Sequence, residues 1–329
     1  MKKLLAISLG LCLTPLVYAN TNQGLNDFKA GQYSQAIENF SKPAKTGDAM
    51  AQYYLGHMYL YGIGVPKNYQ EAYQWLDKSA QKGQALAQFD LGWMYENGLG
   101  VDKNMNKAVE YYQKSAEQGY DKAQLTLGFL YDYGKGVNKD FNQAAKWYQL
   151  AADQNNRIAL YNLGLMYSLG EGVEKNPSTS SQYYLKSAKL GYSPAQLKIG
   201  YAYDRGLGVK KDLQEAAKWY LLAAKNGSVT AQYNIGHMYW KGEGFSPNKD
   251  NAFMWIKRSA EQGYPKGQFI LGFFYETGIG TEKDPVKAYA WYNVAAASGN
   301  KYAGKQREKL RNTLDSNQLE AAQKLSKEL

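Results

Sequence analysis

The sequence is poor in the residue types from which thiol and metal sites are built. Its 329 residues include one cysteine, Cys12, and two histidines, His57 and His237. A single cysteine cannot form an internal disulfide, and no second cysteine or histidine stands near either histidine as a zinc co-ligand. We therefore expect no metal site and a fold that is stabilised by packing alone.

The sequence also lacks an apolar run long enough to cross a membrane. The apolar stretch of residues 4–16, which follows Lys2 and Lys3, has thirteen residues, whereas a transmembrane helix needs about 20. With the small-residue pattern that ends at Ala19, it predicts a signal peptide over residues 1–19, cleaved after Ala19. The mature protein is then periplasmic or secreted, without a transmembrane segment. Retention as a membrane anchor and lipidation of Cys12 are the alternatives.

A concentrated basic surface is absent as well. The formal net charge of +10 falls to +8 when Lys2 and Lys3 leave with the signal peptide. The remaining basic residues are spread along the chain, whereas nucleic-acid binding predicts one clustered basic face. We expect a solvated surface and no nucleic-acid partner.

What the sequence does have is tyrosine, with 30 residues, at positions that recur every 36 residues. Seven copies follow one another without insertion over residues 48–300, and each has a glycine, a tyrosine three residues later and a paired-glycine loop. The glycine recurs as Gly56, Gly92, Gly128, Gly164, Gly200, Gly236 and Gly272. A fixed period of this length is typical of stacked helical repeats.

Each copy predicts two antiparallel helices. In the first helix, Ala51, Leu55, Met58 and Tyr59 share one buried stripe, and Gly56 beside them allows a neighbouring helix to approach closely. The second helix begins at a good N-cap, which is Asn68, Asn104, Asp140, Asn176, Asp212, Asn248 or Asp284. Capping boxes are expected for Asn68 with Glu71, Asp140 with Gln143 and Asp212 with Glu215.

The helix ends and the core of the second helix follow from the same comparison of copies. We expect Gly62 to end the first helix and Gly83 to end the second, both in the left-handed backbone conformation. Asn155 replaces the second glycine in one copy, and Asn is the next residue to accept that conformation. The second helix is expected to bury Ala72, Trp75, Leu76, Ala80 and their equivalents.

Helix pairs of this size must stack to bury their apolar faces. The expected fold is therefore all-α, a right-handed α-solenoid superhelix of seven 36-residue helix-turn-helix repeats, present as a monomer. Residues 22–47 are expected to form a partial N-terminal repeat with a turn at Gly31. Residues 301–329 are expected to form C-terminal capping helices that turn inward Leu310, Leu314, Leu319 and Leu325.

These motifs resemble the Sel-one-like repeat family, a relative of the tetratricopeptide repeats, over most of the chain. The family pattern is matched most fully by Ala123, Gln124, Leu127-Gly128, Tyr131, Gly134, Gly136, Val137, Ala144, Trp147-Tyr148 and Ala151-Ala152. The resemblance implies an adaptor for other proteins rather than an enzyme. Exported bacterial relatives look like envelope or host-interaction proteins, and some are similar to inhibitors of cell-wall- or lipid-degrading enzymes. Cysteine-rich relatives carry disulfides that this chain lacks, so the β-lactamase activity suggested for them is not carried over.

No arrangement in the sequence predicts catalysis or a cofactor. The paired glycines follow a helix, lack a Gly-Lys-Ser/Thr ending and recur seven times, which argues against a phosphate-binding loop. Acidic residues end several first helices but lie in different copies, too far apart for a glycosidase pair. These residues are Glu96, Asp132, Asp204 and Glu276. We expect no catalytic, cofactor-binding or metal-binding residue.

The residues that vary most between copies lie opposite the buried stripe of the first helices. We call these residues the first-helix stripe and expect them to line a concave face that binds a protein or an extended peptide, because Tyr, Trp and Arg often anchor interfaces. The stripe contains Tyr54, His57, Tyr61, Asp90, Trp93, Asn97, Phe129, Tyr133, Lys198, Tyr201, Arg205, Asn234, His237 and Lys241. The alternative is that Trp93, Phe129 and Tyr201 only fill the gap to the preceding second helix.

Three functional hypotheses follow. The favoured one is a non-enzymatic periplasmic or secreted scaffold that binds a protein or peptide. The second is a periplasmic inhibitor or immunity protein directed against a cell-wall- or lipid-degrading enzyme. The third, a hydrolase of cell-wall or β-lactam substrates, has no nucleophile set in the sequence to support it.

Overall fold

A computed structural model describes the backbone of residues 13–329 and the side chains from residue 20 onward. In this part of the chain every regular element is an α-helix, and the helices fall into two compact units. The first unit extends to Ala159 and includes Glu171–Val173, and the second contains Leu160–Gly170 and Glu174–Leu329. Most of the predicted signal peptide lies outside the described residues, so it stays a prediction.

The first unit contains eight helices that pack in chain order. They are α1 (Leu13–Lys29), α2 (Tyr33–Thr46), α3 (Ala49–Tyr61), α4 (Tyr69–Gln81), α5 (Ala85–Asn97), α6 (Met105–Glu117), α7 (Asp121–Tyr133) and α8 (Phe141–Asp153). Each odd-numbered helix packs on the helix that follows it, and α2, α4 and α6 also contact the first helix of the next pair. This stacking of pairs is the arrangement of an α-solenoid.

The second unit repeats the same scheme. Its helices are α9 (Arg157–Leu169), which begins just before the unit, α10 (Pro177–Lys189), α11 (Ser193–Arg205), α12 (Leu213–Lys225), α13 (Val229–Lys241), α14 (Lys249–Glu261), α15 (Pro265–Thr277), α16 (Pro285–Ala297), α17 (Ala303–Arg311) and α18 (Ser316–Glu328). Both α17 and α18 pack on α16, where Leu310 is buried and Leu314 and Leu319 are partly buried. The all-α prediction is confirmed.

The predicted N-caps and helix ends are confirmed because they depend on local backbone chemistry. At all seven predicted positions the cap side chain accepts a backbone hydrogen bond from the first turn of the second helix. Gly62 and Gly83 have φ of 73° and 84°. Asn155, at φ 61°, is the non-glycine residue with positive φ in the described part of the chain.

In each of the three predicted capping boxes, only one of the two hydrogen bonds forms. Asn68, Asp140 and Asp212 accept from the backbone as expected, but the reciprocal side-chain bond is not formed in these three helices. At Asp212 the intended partner, Glu215, instead lies 2.5 Å from the Lys218 ammonium. These side chains are solvated, so nearby charges compete with the backbone N–H. Among the described residues, a complete capping box is formed by Asp315 and Gln318 at the start of α18.

The recurring glycine marks the crossing point of each helix pair. A Cβ on Gly92 would lie 2.7 Å from Cδ1 of Tyr112, so the missing side chain makes room for the tyrosine ring. The same contact recurs in every pair with the buried residue Leu76, Tyr112, Tyr148, Tyr184, Tyr220, Ile256 or Tyr292. Trp75 was predicted to be buried too but is only half-buried, whereas its equivalents Trp255 and Trp291 are buried.

Buried glutamines join neighbouring repeats, which the sequence patterns did not predict. The Gln88 side chain is buried, and its Nε2 donates to the carbonyl of Ala80 at the end of the preceding helix. Its Oε1 accepts from Gln118 at 2.7 Å, so both ends of the amide have partners. Buried polar groups are usually hydrogen-bonded in this way. Among the described residues no helix is both long and apolar enough to cross a membrane.

Candidate partner-binding site

Two predicted stripe residues of the first unit, His57 and Asp90, meet across adjacent repeats. The Nδ1 of His57 lies 2.7 Å from Oδ2 of Asp90, and the Tyr53 hydroxyl lies 3.4 Å from the same nitrogen. Asp90 is 4% exposed, which corrects the expectation that it belongs to an open surface. A buried carboxylate needs a partner, and His57 provides one. Burial and, after it, the charge of Asp90 raise the pKa of Tyr53.

The aromatic residues beside this pair are also engaged within the chain. The Tyr54 ring stacks on Phe40 with centroids 5.0 Å apart. The Tyr61 ring stacks on Trp93 with centroids 5.6 Å apart, and Trp93 packs partly buried against the cores of two repeats. A mainly structural interpretation therefore fits Trp93.

In the first unit the most exposed aromatic residues of the stripe lie at its end, although Tyr61 is also 38% exposed. Phe129 and Tyr133 are 42% and 60% exposed, and their rings stack on each other with centroids 4.4 Å apart. Asn97 is exposed, and its Nδ2 donates to the Trp93 carbonyl at 2.9 Å. Phe129 does not fill an interior gap, so that alternative is wrong for this residue.

In the second unit, four predicted stripe residues line one open cavity of about 620 Å³, which we call the α11–α13 cavity. They are Tyr201, Arg205, Asn234 and His237. The other lining residues are Asp204, Lys211, Leu213, Tyr220, Thr230, Tyr233, Met238, Glu243, Tyr264 and Lys266. A volume of this size falls within the range of roughly 300–1,000 Å³ that is usual for ligand pockets. Lys198 and Lys241 are exposed but do not line it.

Tyr201 and Arg205 form the exposed rim of the α11–α13 cavity. Tyr201 is 46% exposed, and the Arg205 guanidinium carbon lies 5.9 Å from the centre of its ring. The Nε of Arg205 lies 3.4 Å from Oδ2 of Asp204. An exposed tyrosine beside an arginine is a combination that commonly anchors partners.

His237 occupies the same repeat position as His57 but has a looser environment. Its Nδ1 lies 3.8 Å from Oε2 of Glu243, and its ring contacts Trp240 edge to face. Burial lowers the pKa of His237 below its usual value of 6.5, against an opposing effect of Glu243. The ring is therefore neutral at neutral pH.

The acidic residues that end the first helices accept hydrogen bonds from the buried tyrosines of the second helices. The Tyr112 hydroxyl donates to Glu96 at 2.6 Å, and Tyr292 donates to Glu276 at 2.5 Å. Tyr148 donates to Asp132 at 3.3 Å, and burial raises the pKa of Asp132 above its usual value. These acids therefore have a structural partner, which sequence reasoning missed.

A signal for these pairs does exist in the sequence. Where the buried residue is Leu76 or Ile256 and has no hydroxyl, the acidic position is occupied by Leu60 or Trp240. Four of the five repeats with a buried tyrosine carry an acid at this position, and the fifth has Ser168 with Tyr184. The two repeats with a buried Leu or Ile carry an apolar residue there. Only a comparison of two positions within each repeat reveals this relation.

Tyr220 departs from the rule. It is 1% exposed, and its hydroxyl has no hydrogen-bond partner in the described structure. Asp204 stands at the acidic position of this repeat but is paired with Arg205. The Asn234 side chain lies close enough to the hydroxyl oxygen to lower the pKa of Tyr220 against the effect of burial, and the hydroxyl proton has no acceptor. Burial raises the pKa of Tyr220, so its hydroxyl stays protonated and remains a donor.

A larger opening of about 1,070 Å³ lies near the same repeats, but we do not identify it as the site. It is lined by two of the recurring loops, including Val209, Gly242, Gly244 and Pro247. The paired-glycine loop recurs in all seven repeats, so its conformation is a feature of the architecture. Within the described residues, no group of three or more His, Cys, Asp or Glu side chains is placed to hold a metal ion.

Comparison with protein families gives one assignment. The Sel1 repeat model matches seven consecutive segments, residues 49–84, 85–120, 121–156, 157–192, 193–228, 229–264 and 265–300. These segments coincide with the seven helix pairs. No curated protein is significantly similar to the chain.

Solved structures give the same answer for the fold. A Sel1 repeat protein from Oxalobacter formigenes is 37% identical, with 73% of this chain and 96% of that one covered at a TM-score of 0.64. The protective antigen c5321 of uropathogenic Escherichia coli, which displays an SLR fold, is 27% identical, with 95% and 91% covered at a TM-score of 0.57. Immunity protein Pa5087 from Pseudomonas aeruginosa is 23% identical, with 64% and 82% covered at a TM-score of 0.36, and this likeness carries no functional argument.

Proposed function

Because the chain belongs to the Sel1 repeat family, we propose that it is a non-enzymatic scaffold that binds a protein or an extended peptide through its first-helix stripe. The proposal places the mature protein in the periplasm or outside the cell. Sel1 repeats are suited to protein–protein interaction, and this property supports a binding role.

The observation that carries the proposal is the α11–α13 cavity. Four stripe residues converge there, two from α11 and two from α13, which are the first helices of adjacent repeats. Its rim presents an exposed tyrosine and an arginine, whereas the core positions of the same helices are closed. Residues that vary among repeats and remain accessible are the ones that can confer specificity for a partner.

The test is site-specific photocrosslinking in intact bacteria that express the full chain. A photoreactive phenylalanine analogue replaces Tyr201 at the cavity rim, and the matched control places it at Leu222. Leu222 is 43% exposed and lies on the second helix that follows in the same unit. We expect one discrete crosslinked partner from position 201 and none from position 222. Equal crosslinking at both positions, or none at position 201, would contradict the proposal.

The same experiment separates the scaffold from the inhibitor hypothesis. If the crosslinked partner is a cell-wall- or lipid-degrading enzyme that the purified chain inhibits, the protein is an inhibitor rather than an adaptor. Export has its own readout, which is the intact mass of the chain recovered from the periplasm or the medium. We expect a mature protein that begins at Asn20, the residue after the predicted cleavage point.

A further inference from the structure

The hydroxyl of Tyr220 is one of three buried side-chain polar atoms without a hydrogen-bond partner in the described structure, with the Oε1 atoms of Gln52 and Gln268, and it is the only donor among them. At the equivalent position, Tyr112, Tyr148 and Tyr292 donate to an acid at the end of the first helix. Tyr184 is hydrogen-bonded to Ser168 instead. Tyr220 is as deeply buried as Tyr112. A buried donor without an acceptor costs about 1–3 kcal/mol, so its presence calls for an explanation.

The Tyr220 side chain lies at the boundary between the core and the α11–α13 cavity. Tyr220 lines this cavity, and the groups whose charge or bonding influences its hydroxyl are Asp204, Arg205, Tyr201 and Asn234. All four also line the cavity. The hydroxyl oxygen itself is buried, so a ligand atom in the cavity accepts the unused hydrogen bond when one of these four side chains turns aside.

The charges around the cavity favour an anionic acceptor. Arg205 is paired with Asp204, and Glu243 is the acidic group nearest His237. Lys211 and Lys266 line the cavity, are exposed, and form no ion pair with any residue that the structure describes. With His237 neutral, the lining contains three cations and two anions. The excess positive charge and the available N–H and O–H donors match a carboxylate.

We propose that the α11–α13 cavity binds a carboxylate group of a peptide, supplied by a free C-terminus or by an Asp or Glu side chain. The Tyr220 hydroxyl and the Asn234 amide donate to it, and Lys211, Lys266 and Arg205 provide the positive field. The Tyr201, Tyr233 and Tyr264 rings contact the apolar part of the adjoining peptide residue. This assignment rests on the proposed function, because it names the chemistry of the peptide that the stripe binds.

The test uses a synthetic library of random hexapeptides on the full chain, prepared once with free C-termini and once as C-terminal amides. We expect the bound fraction of the free-acid library to exceed that of the amide library if a C-terminus is recognised. Enrichment of Asp and Glu in both libraries would identify the side chain as the source. Enrichment of neutral or cationic peptides, or no selective binding to either library, would overturn the proposal.

Variants identify the donor. For the best free-acid or acidic peptide of the library, Tyr220→Phe is expected to lower affinity about tenfold, because it removes one hydrogen bond to a charged acceptor. Tyr148→Phe is the matched control, since its hydroxyl donates to Asp132 in the first unit and does not line the cavity. It is expected to change affinity less than about twofold, because it shares no contact with the residues that line the cavity. An equal loss in both variants would overturn the role of Tyr220.

A stability measurement distinguishes a binding role from a structural one. Tyr220→Phe is expected to keep or raise the melting temperature, because it deletes an unpaired buried hydroxyl. A lower affinity with unchanged stability supports a binding role, whereas a clear loss of stability would contradict it. Failure of carboxylate selectivity with retained crosslinking from position 201 would refute this inference and leave the scaffold proposal intact.

Discussion

His57 and His237 occupy the same repeat position, one in each unit, and their hydrogen-bonding partners differ. His57 contacts the buried carboxylate of Asp90, 33 residues further along, at 2.7 Å. The residue 33 positions after His237 is Ile270, which has no polar group, and His237 is left with the more distant Glu243. The two rings are similarly half-buried, but the same backbone position has a close carboxylate partner in one unit and a distant one in the other because of one residue in the next repeat.

Tyr112 and Tyr220 show the same contrast in the second helices. Tyr112 is satisfied by Glu96, whereas Asp204, the corresponding acid for Tyr220, is paired with Arg205. In a repeat protein the contacts that hold the fold together recur in every repeat. A repeat that lacks such a contact therefore indicates a position selected for something other than the fold. Both departures of the second unit lie in the same cavity.

The largest effect is expected from replacing each histidine with alanine. His57→Ala leaves the Asp90 carboxylate buried without its partner, which should lower the free energy of unfolding by about 3 kcal/mol. His237→Ala removes a partly exposed group with a loose contact and should cost less than about 1 kcal/mol. Urea unfolding followed by circular dichroism measures both. Similar losses in the two variants would show that the environments are equivalent after all.

A smaller difference is expected when the two tyrosines lose their hydroxyls. Tyr112→Phe removes a hydrogen bond to Glu96 and leaves a half-buried carboxylate unsatisfied, which should cost about 2 kcal/mol. Tyr220→Phe should cost nothing, since no bond is lost. The two melting temperatures, compared with that of the unsubstituted chain, test the contrast. A loss for Tyr220→Phe as large as that for Tyr112→Phe would mean that Tyr220 has a structural acceptor.

The sequence predicts the helices well because their ends are set locally. A backbone that must turn left-handed accepts Gly or Asn, and this requirement alone identifies Asn155 as a helix end. The capping boxes failed because solvated side chains such as Glu215 choose among several nearby partners. The predicted core of the second helix is confirmed at Ala72, Leu76 and Ala80, and Trp75 is only half-buried because Leu76 is the residue that packs against Gly56.

The candidate site is less predictable because accessibility depends on pairs of residues in different helices. The stripe identified Tyr201, Arg205, Asn234 and His237, which the structure brings together. Nothing in the repeat of Asp90 alone indicates that it is buried against His57, since the contact joins two repeats. Tyr220 was predicted only as a core equivalent, and its unpaired hydroxyl emerges from the positions of its neighbours.

Transferring the His57–Asp90 pair into the α11–α13 cavity tests whether this pair alone accounts for the difference between the two units. Tyr201 and Asn234 occupy the repeat positions of His57 and Asp90. The double variant Tyr201→His with Asn234→Asp is expected to show a favourable coupling of about 1 kcal/mol relative to the two single variants. The added carboxylate should also weaken binding of an acidic peptide. Zero coupling in this double-mutant cycle would show that the contact between His57 and Asp90 depends on other residues of the first unit.

The smallest expected effect concerns pH and arises from His237. Its pKa in the folded chain lies below the usual 6.5 because the ring is partly buried. The unfolded chain therefore takes up this proton first, and the stability associated with the neutral ring is present above about pH 6.5 and lost as the pH falls through the folded pKa. Glu243 opposes the shift, while Lys241 reinforces it and Asp204 weakly opposes it.

Two substitutions should move this pH dependence in opposite directions. Between about pH 7.5 and about pH 5.5, His237→Gln should reduce the fall in melting temperature by about 1–2 °C, because the titrating group is gone. Glu243→Gln should enlarge the fall, because the folded pKa of His237 drops further without the nearby carboxylate. Differential scanning calorimetry of the three chains measures both changes, and the other titrating groups cancel in the comparison. If both variants shift the curve in the same direction, the contact between His237 and Glu243 does not set the pKa of His237, and the difference from His57 has another origin.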